Sequence, residues 1–371
     1  MKYIDEFRDN KIAKNISRAI FEKAGTSGPV NIMEVCGTHT MSICNFGIRD
    51  MLPENINLIS GPGCPVCVTP KAYIDRAVAL AGIQDTVVTT FGDMMKVPGS
   101  RSSLTQERTK GASVKVVYST LDAVDIAEKN PDKKVIFLGI GFETTSPTVA
   151  ASLAYAKKKR LKNFFVYSGH KVILPAMKAL MEDRDAKIDA FLCPAHVSTI
   201  IGMTPYNIIA TKYKTPCVIT GFEPLDILQG ILMIIEQITS KRSEVENQYK
   251  RIATRSGNKK ALDLLDDVFE IEDSEWRSIG IIPKSGMRLK RKYSVFDVEK
   301  NFDLPAIKTR PDTGCMCGSV LKGIKTPFDC PLFNKKCTPE HPVGPCMVSS
   351  EGTCAAYYRY PVPQGYGAGR R

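Results

Sequence analysis

The chain has 371 residues, of which 43% are hydrophobic and 24% charged, proportions that exclude a disordered or fibrous polypeptide and predict two or three domains. The longest apolar run, "ILMII" at 231–235, falls far short of the ~20 residues of a membrane span. The formal charge of +12 is spread over runs such as "KKKR" at 157–160 and "RLKRK" at 288–292. These lack the interleaved aromatics of a single-strand groove, so nucleic acid is not an expected partner.

In chain order, the N-terminal stretch carries apolar residues at Ile4, Phe7, Ile16, Ala19 and Ile20 among mixed charges. This predicts an amphipathic helix within 1–28 packed on the body, not a signal peptide, and with it a cytoplasmic location. Eight short β-branched runs follow: "VNIMEVC" (30–36), "INLIS" (56–60), "TVVTT" (86–90), "VKVVY" (114–118), "KVIFLGI" (134–140), "NFFVYS" (163–168), "DAFLCP" (189–194) and "PCVITGF" (216–222). Helix-like stretches alternate with them, the rhythm of parallel sheets covered by helices. The two sets of four look related, because "CGTHT" falls opposite "IGFETT" 104 residues on and "FGDMMKVPG" opposite "PAHVSTIIG" 103 residues on. The expected fold class is therefore α/β. Two duplicated open parallel-sheet domains, 29–130 and 131–240, face a cleft. Beyond 240, "KRSEVENQYKRIA" and "NKKALDLLDDVF" read as helices, and six of the twelve cysteines lie within 315–354. Residues 241–371 are thus expected to form a third, cysteine-rich domain.

Ligands of open parallel sheets sit beyond the carboxyl ends of strands, and the polar residues here fall there. Cys36 and His39, then Cys64 and Cys67, then Asp93 follow strands of the first half; Glu143, His170, His196 and Glu223 follow strands of the second. Glu143 and His196 also read as helix caps. In "GPGCPVC" the thiols lie in a loop before an expected helix with Thr69 as N-cap and Pro70 at its first position. The positive end of that helix would favour thiolate at Cys67 and Cys64. Cys44, Cys193 and Cys217 lack such context and read as core residues. The C-terminal cysteines have too little apolar sequence around them to fold without a crosslink. Zinc would prefer paired C-x(2–4)-C spacing, disulfides an oxidising compartment, and an iron–sulphur cluster four thiolates at irregular spacing, leaving two cysteines over.

The segments "EVCGTHT", "GPGCPVC", "FGDMMKVPGS", "GFETTSPTVA" and "CMCGSVLKGIKTPFDCPLFNKKCTPEHPVGPCMVSSEGTCAAYYRY" resemble the HypD family of NiFe-hydrogenase maturation factors over nearly the whole chain. The resemblance implies a scaffold on which iron receives cyanide and carbon monoxide. The assembly partner would be HypC, cyanide would come through HypE, and the hydrogenase large subunit would be reached through HypC. It implies Cys36 as the iron-anchoring thiolate, Cys64 and Cys67 as a redox dithiol, and Cys315, Cys330, Cys337 and Cys354 as ligands of a 4Fe-4S cluster. Cys317 and Cys346 would form a second thiol pair beside the cluster, an arrangement similar to ferredoxin-thioredoxin reductase. His39, placed to orient or protonate an iron ligand, and Asp93 complete the catalytic candidates. A cluster-dependent thiol-disulfide oxidoreductase is the competing function. It needs the cluster and dithiols but not Cys36.

Overall fold

The computed structural model describes residues 5–25, 28–306, 308–310 and 314–360. Each of the eight expected strands forms. They are β1 (Val30–Glu34), β2 (Ile56–Ser60), β3 (Thr86–Thr90), β4 (Val114–Val116), β5 (Lys134–Gly139), β6 (Phe164–Ser168), β7 (Ala190–Pro194) and β8 (Cys217–Thr220). A short β9 (Val245–Asn247) and an antiparallel hairpin, β10 (Phe269–Trp276) with β11 (Gly280–Leu289), complete the set among the described residues.

The first eight strands form two parallel sheets, but these do not divide at residue 130. One sheet runs β2-β1-β7-β8-β9 and the other β4-β3-β5-β6. The domains expected at 29–130 and 131–240 are thus corrected: each half gives two strands to each sheet. Leaving out β9, both sheets have the same order once β1 is set against β5, β2 against β6, β7 against β3 and β8 against β4. This is the register in which "CGTHT" faces "IGFETT". Pairing between strands as far apart as Ile32 and Ala190 is not a local property, so sequence runs locate the strands without assigning them to sheets.

The third domain is also smaller than 241–371. "KRSEVENQYKRIA" is not a helix, because Val245–Asn247 extends the first sheet beside β8. "NKKALDLLDDVF" does give a helix, Lys259–Val268, with the Asn258 side chain accepting from the Ala261 N–H as N-cap. Residues 314–360 form the separate cysteine-rich lobe, whose helix Thr353–Arg359 packs on helix Gly37–Asn45.

Period-two alternation sorts the side chains into layers. In β1, Val30 and Ile32 join the outer core of the first sheet, under helices Asn10–Ala24 and Pro224–Thr239, whereas Met33 and Val35 join a core shared by both sheets. In β3, Val87 faces the outer core of the second sheet and Val88 the shared one. The N-terminal helix packs on Pro224–Thr239, burying Ala13, Ile20 and Ala24. No helix among the described residues is long and apolar enough to cross a membrane.

Candidate functional site

β1 ends at Glu34, and two residues later Cys36 N-caps helix Gly37–Asn45. The "GPG" arm of the next loop is pressed against it. Gly37 N–H donates to the Gly63 carbonyl at 3.2 Å, and a Cβ on Gly63 would stand 2.2 Å from the Cys36 nitrogen. Only glycine fits there, so these two loops form one unit at the carboxyl end of the first sheet.

Burial pushes the Cys36 pKa up to about 12, with the Glu351 and Glu34 carboxyls adding to the rise and the nearby Thr38 and His39 N–H groups opposing it. Cys36 is a neutral thiol at rest. Sequence reasoning missed both acids. Glu34 is fully buried and pushed up to about 8 by that burial. It accepts from the Cys36 N–H at 3.1 Å and from the Thr40 hydroxyl. The Ser60 hydroxyl beside it has no other partner among the described residues and can accept from the protonated carboxyl. Glu351 comes from the cysteine-rich lobe, accepts from Thr38 Oγ1 at 2.8 Å, and is raised by its own burial. The available signal for Glu34 was an acid inside an otherwise apolar strand; for Glu351 there was none.

His39 lies elsewhere than expected. Its Nε2–H donates to the Thr220 and Gly221 carbonyls at 2.9 and 3.0 Å, and burial pulls its pKa down to about 4. The neutral imidazole ties helix Gly37–Asn45 to the end of β8. Asp93 joins the site differently again: its Oδ2 accepts from Ser349 Oγ at 2.8 Å and Ser350 N–H at 3.3 Å, docking the cysteine-rich lobe onto the second sheet. Glu143 caps helix Ile173–Glu182, accepting the Ile173 N–H at 3.1 Å, and burial raises it to about 7. His170, lowered to about 3 by burial, pairs with Ser168 Oγ at 3.2 Å. Glu223 pairs with Arg8 at 2.6 Å. His196 packs against Phe222 at a tilt, with ring centroids 4.2 Å apart.

Cys64 and Cys67 do precede a helix, Lys71–Ala81, although Pro70 and not Thr69 is its N-cap. A further short helix, Pro65–Val68, contains Cys67: Cys64 N-caps it, its sulfur accepting the Cys67 N–H at 3.3 Å, and Thr69 closes the turn. The expected thiolate is corrected too, because complete burial drives the Cys67 pKa well above its ordinary value and a four-residue turn offers little dipole against it. What the loop does achieve is a run of sulfurs. Cys64 and Cys67 lie 2.7 Å apart, the Cys67 sulfur lies 3.9 Å from the Pro345 carbonyl and interacts electrostatically with Cys346, Cys346 and Cys317 lie 2.9 Å apart, and Cys317 interacts electrostatically with Cys315. Four pairs of neighbours thus lead from the first sheet into the lobe.

There Cys315, Cys330, Cys337 and Cys354 share one pocket with Leu332, Phe333 and Met347. Burial and the mutual repulsion of Cys315, Cys337 and Cys330 push Cys354 well above its ordinary value. The pocket lining contains neither carboxylate nor imidazole. That donor set fits a sulfur-ligated cluster and not an oxygen-seeking cation. Among the described residues no three His, Cys, Asp or Glu side chains are gathered closely enough to hold a metal as they stand. Cys44, Cys193 and Cys217 are buried, as expected of core residues.

Comparison with known proteins identifies the family. The profile of the HypD family, described as "Hydrogenase formation hypA family", matches residues 11–361. The chain is 48% identical over 368 residues to hydrogenase maturation factor HypD2 of Bradyrhizobium diazoefficiens, covering 97% of each. It is 45% identical to HypD of Cupriavidus necator, covering 97% of each, and 44% identical to HypD of Escherichia coli K12, covering 97% of this chain and 98% of that one. A profile match over nearly the whole chain and relatives of this identity and coverage place the protein in the HypD family of hydrogenase maturation factors.

Proposed function

We propose that this chain is the scaffold on which, together with HypC, the iron of the NiFe active site acquires cyanide and carbon monoxide, with the buried thiols as its redox auxiliary. The observation that carries the reading is the placement of Cys36. It is a buried thiol at the carboxyl end of β1, at the N-terminus of helix Gly37–Asn45 and packed against the loop that begins the sulfur run.

The iron is cargo, and one thiolate supplies too few ligands to retain it, so a cysteine of HypC is the second anchor and HypE the cyanide source. Because Cys36 rests as a thiol, loading must displace its proton. Burial of Cys36, with Glu351 beside it, keeps the unloaded site protonated and inert. The sulfur run moves electron pairs by exchange. Cys346 attacks Cys67 of a Cys64–Cys67 disulfide, Cys64 leaves as thiolate and takes a proton, and Cys317 then attacks Cys346 and releases Cys67. The net result is a reduced Cys64/Cys67 pair and a Cys317–Cys346 disulfide. A 4Fe-4S cluster on Cys315, Cys330, Cys337 and Cys354 would supply one-electron chemistry beside that second pair.

Infrared spectroscopy of the protein isolated with HypC tests the scaffold. Cyanide and carbon monoxide on iron give bands where protein does not absorb. Cys36→Ala should retain the fold and the cluster chromophore and lose those bands. Bands at wild-type intensity in Cys36→Ala would transfer the iron to another thiol. A thiol-disulfide oxidoreductase lacking cargo would show no bands in either protein.

A further inference from the structure

We propose that the outer face of the cysteine-rich lobe is the docking surface for an acidic one-electron carrier protein, which feeds the Cys317–Cys346 pair. The inference rests on the reading of the four-cysteine pocket as a redox centre. Returning a Cys317–Cys346 disulfide to two thiols takes two electrons and two protons. Nothing in the chain supplies the electrons, so they must arrive across the lobe's surface.

The surface over the pocket has the anatomy of a transient interface, an aromatic centre with a charged rim. Residues 332–337 form a tight turn, closed by the Cys337 N–H donating to the Leu332 carbonyl at 2.9 Å and by the Asn334 N–H donating to the Cys337 carbonyl at 3.2 Å. Asn334, at a φ of 53°, turns the chain, and Lys335 and Lys336 stand exposed between Cys330 and Cys337 in sequence. Beside them Phe328 packs edge-on against Phe333 at 5.6 Å, and Phe333 against Tyr358 at 6.5 Å. Phe328 is 42% and Tyr358 39% exposed, whereas aromatics of this size are ordinarily more deeply buried. Arg359 continues the basic rim, and Glu340 is the one fully exposed acid of the lobe among the described residues. Exposed aromatics ringed by lysine and arginine complement an acidic partner. The two lysines sit in sequence between would-be ligands, Cys330 and Cys337, on the turn that carries the pocket-lining Leu332 and Phe333.

Each encounter transfers one electron; two reduced carriers are oxidised and two solvent protons are taken up per disulfide. The test uses an acidic [2Fe-2S] ferredoxin and the full-length protein bearing its chromophore. Ferredoxin binding is measured by calorimetry at two ionic strengths, and reduction of Cys317–Cys346 is followed by thiol labelling. Lys335→Glu with Lys336→Glu should weaken binding on the order of tenfold at low salt and remove most of its salt dependence. A small-molecule reductant should still reduce the variant's disulfide at the wild-type rate. Lys158→Glu with Lys162→Glu, the same charge change on another exposed run, should leave binding unchanged. Equal losses in both double variants, or binding indifferent to salt and to Lys335 and Lys336, would overturn the docking surface while leaving the pocket's redox role standing. A wild-type protein without the iron–sulphur chromophore would overturn that role, and the docking proposal with it.

Discussion

Glu34→Gln isolates the electrostatics of the Cys36 site in one atom. The amide keeps the carboxyl's size and can still accept from the Cys36 N–H, but it cannot ionise. In the wild type burial raises Glu34 from 4.5 to about 8, so the folded state holds the proton more tightly than the unfolded chain. A raised carboxyl contributes stability that is fully present below the unfolded value and is lost as pH rises through the folded one. The wild type should therefore lose about 1.4 kcal/mol per pH unit from this group between about pH 4.5 and about pH 8, reaching about 5 kcal/mol. Glu34→Gln should show no such term. Other titrating groups are common to both proteins, so the difference between their urea unfolding free energies at about pH 5, 7 and 9 reports Glu34 alone. The variant should gain on the wild type as pH rises. Parallel curves across that range would refute the claim that Glu34 is neutral at rest.

Two further outcomes follow from the same geometry. Gly63→Ala would drive a methyl into the Cys36 and Val35 backbone, with 2.2 Å to the Cys36 nitrogen and 2.4 Å to the Val35 carbonyl carbon. The expected cost is about 3 kcal/mol. Gly28→Ala, where nothing lies within 4 Å, should leave the melting temperature nearly unchanged; equal shifts would show that the loops are not pressed together as described. Alkylation of the reduced native protein at neutral pH should label Cys67 far more slowly than an exposed thiol, because burial holds it protonated. Labelling as fast as that of a free thiol would restore the reactive thiolate expected from the sequence.

Strand positions were legible because each strand is a short β-branched run, and the buried side chains of β1 and β3 repeat the alternation that marks such runs. Sheet membership was not, since β1 is joined to β7 by pairs such as Glu34 with Leu192, which no local pattern encodes. The strand orders of the two sheets do correspond in the register in which the halves resemble each other, so the resemblance of the halves was visible while their exchange of strands was hidden. At the site, spacing and motif singled out every thiol of the sulfur run, but their protonation depended on burial that a sequence does not show. For Cys67 desolvation outweighed the helix end that had suggested a thiolate. His39 was noticed for its imidazole, whereas its role in the fold is to bridge the "CGTHT" helix to the carbonyls at the end of β8. Asp93 stood at a strand end as expected, yet it holds two serines of the lobe, a partner more than 250 residues away.

The central claim is that the dithiol of the first sheet and the thiol pair of the lobe form one continuous relay, joined at Cys67 and Cys346. Trapping that junction tests it most directly. With Cys64→Ser and Cys317→Ser together, each pair loses its own partner, and mild oxidation should join Cys67 to Cys346. Mass spectrometry of a tryptic digest should then find peptide 50–71 linked to peptide 337–359, with fragmentation placing the bond at Cys346. A double variant that oxidises without this link, or that links Cys67 to another cysteine instead, would contradict the relay.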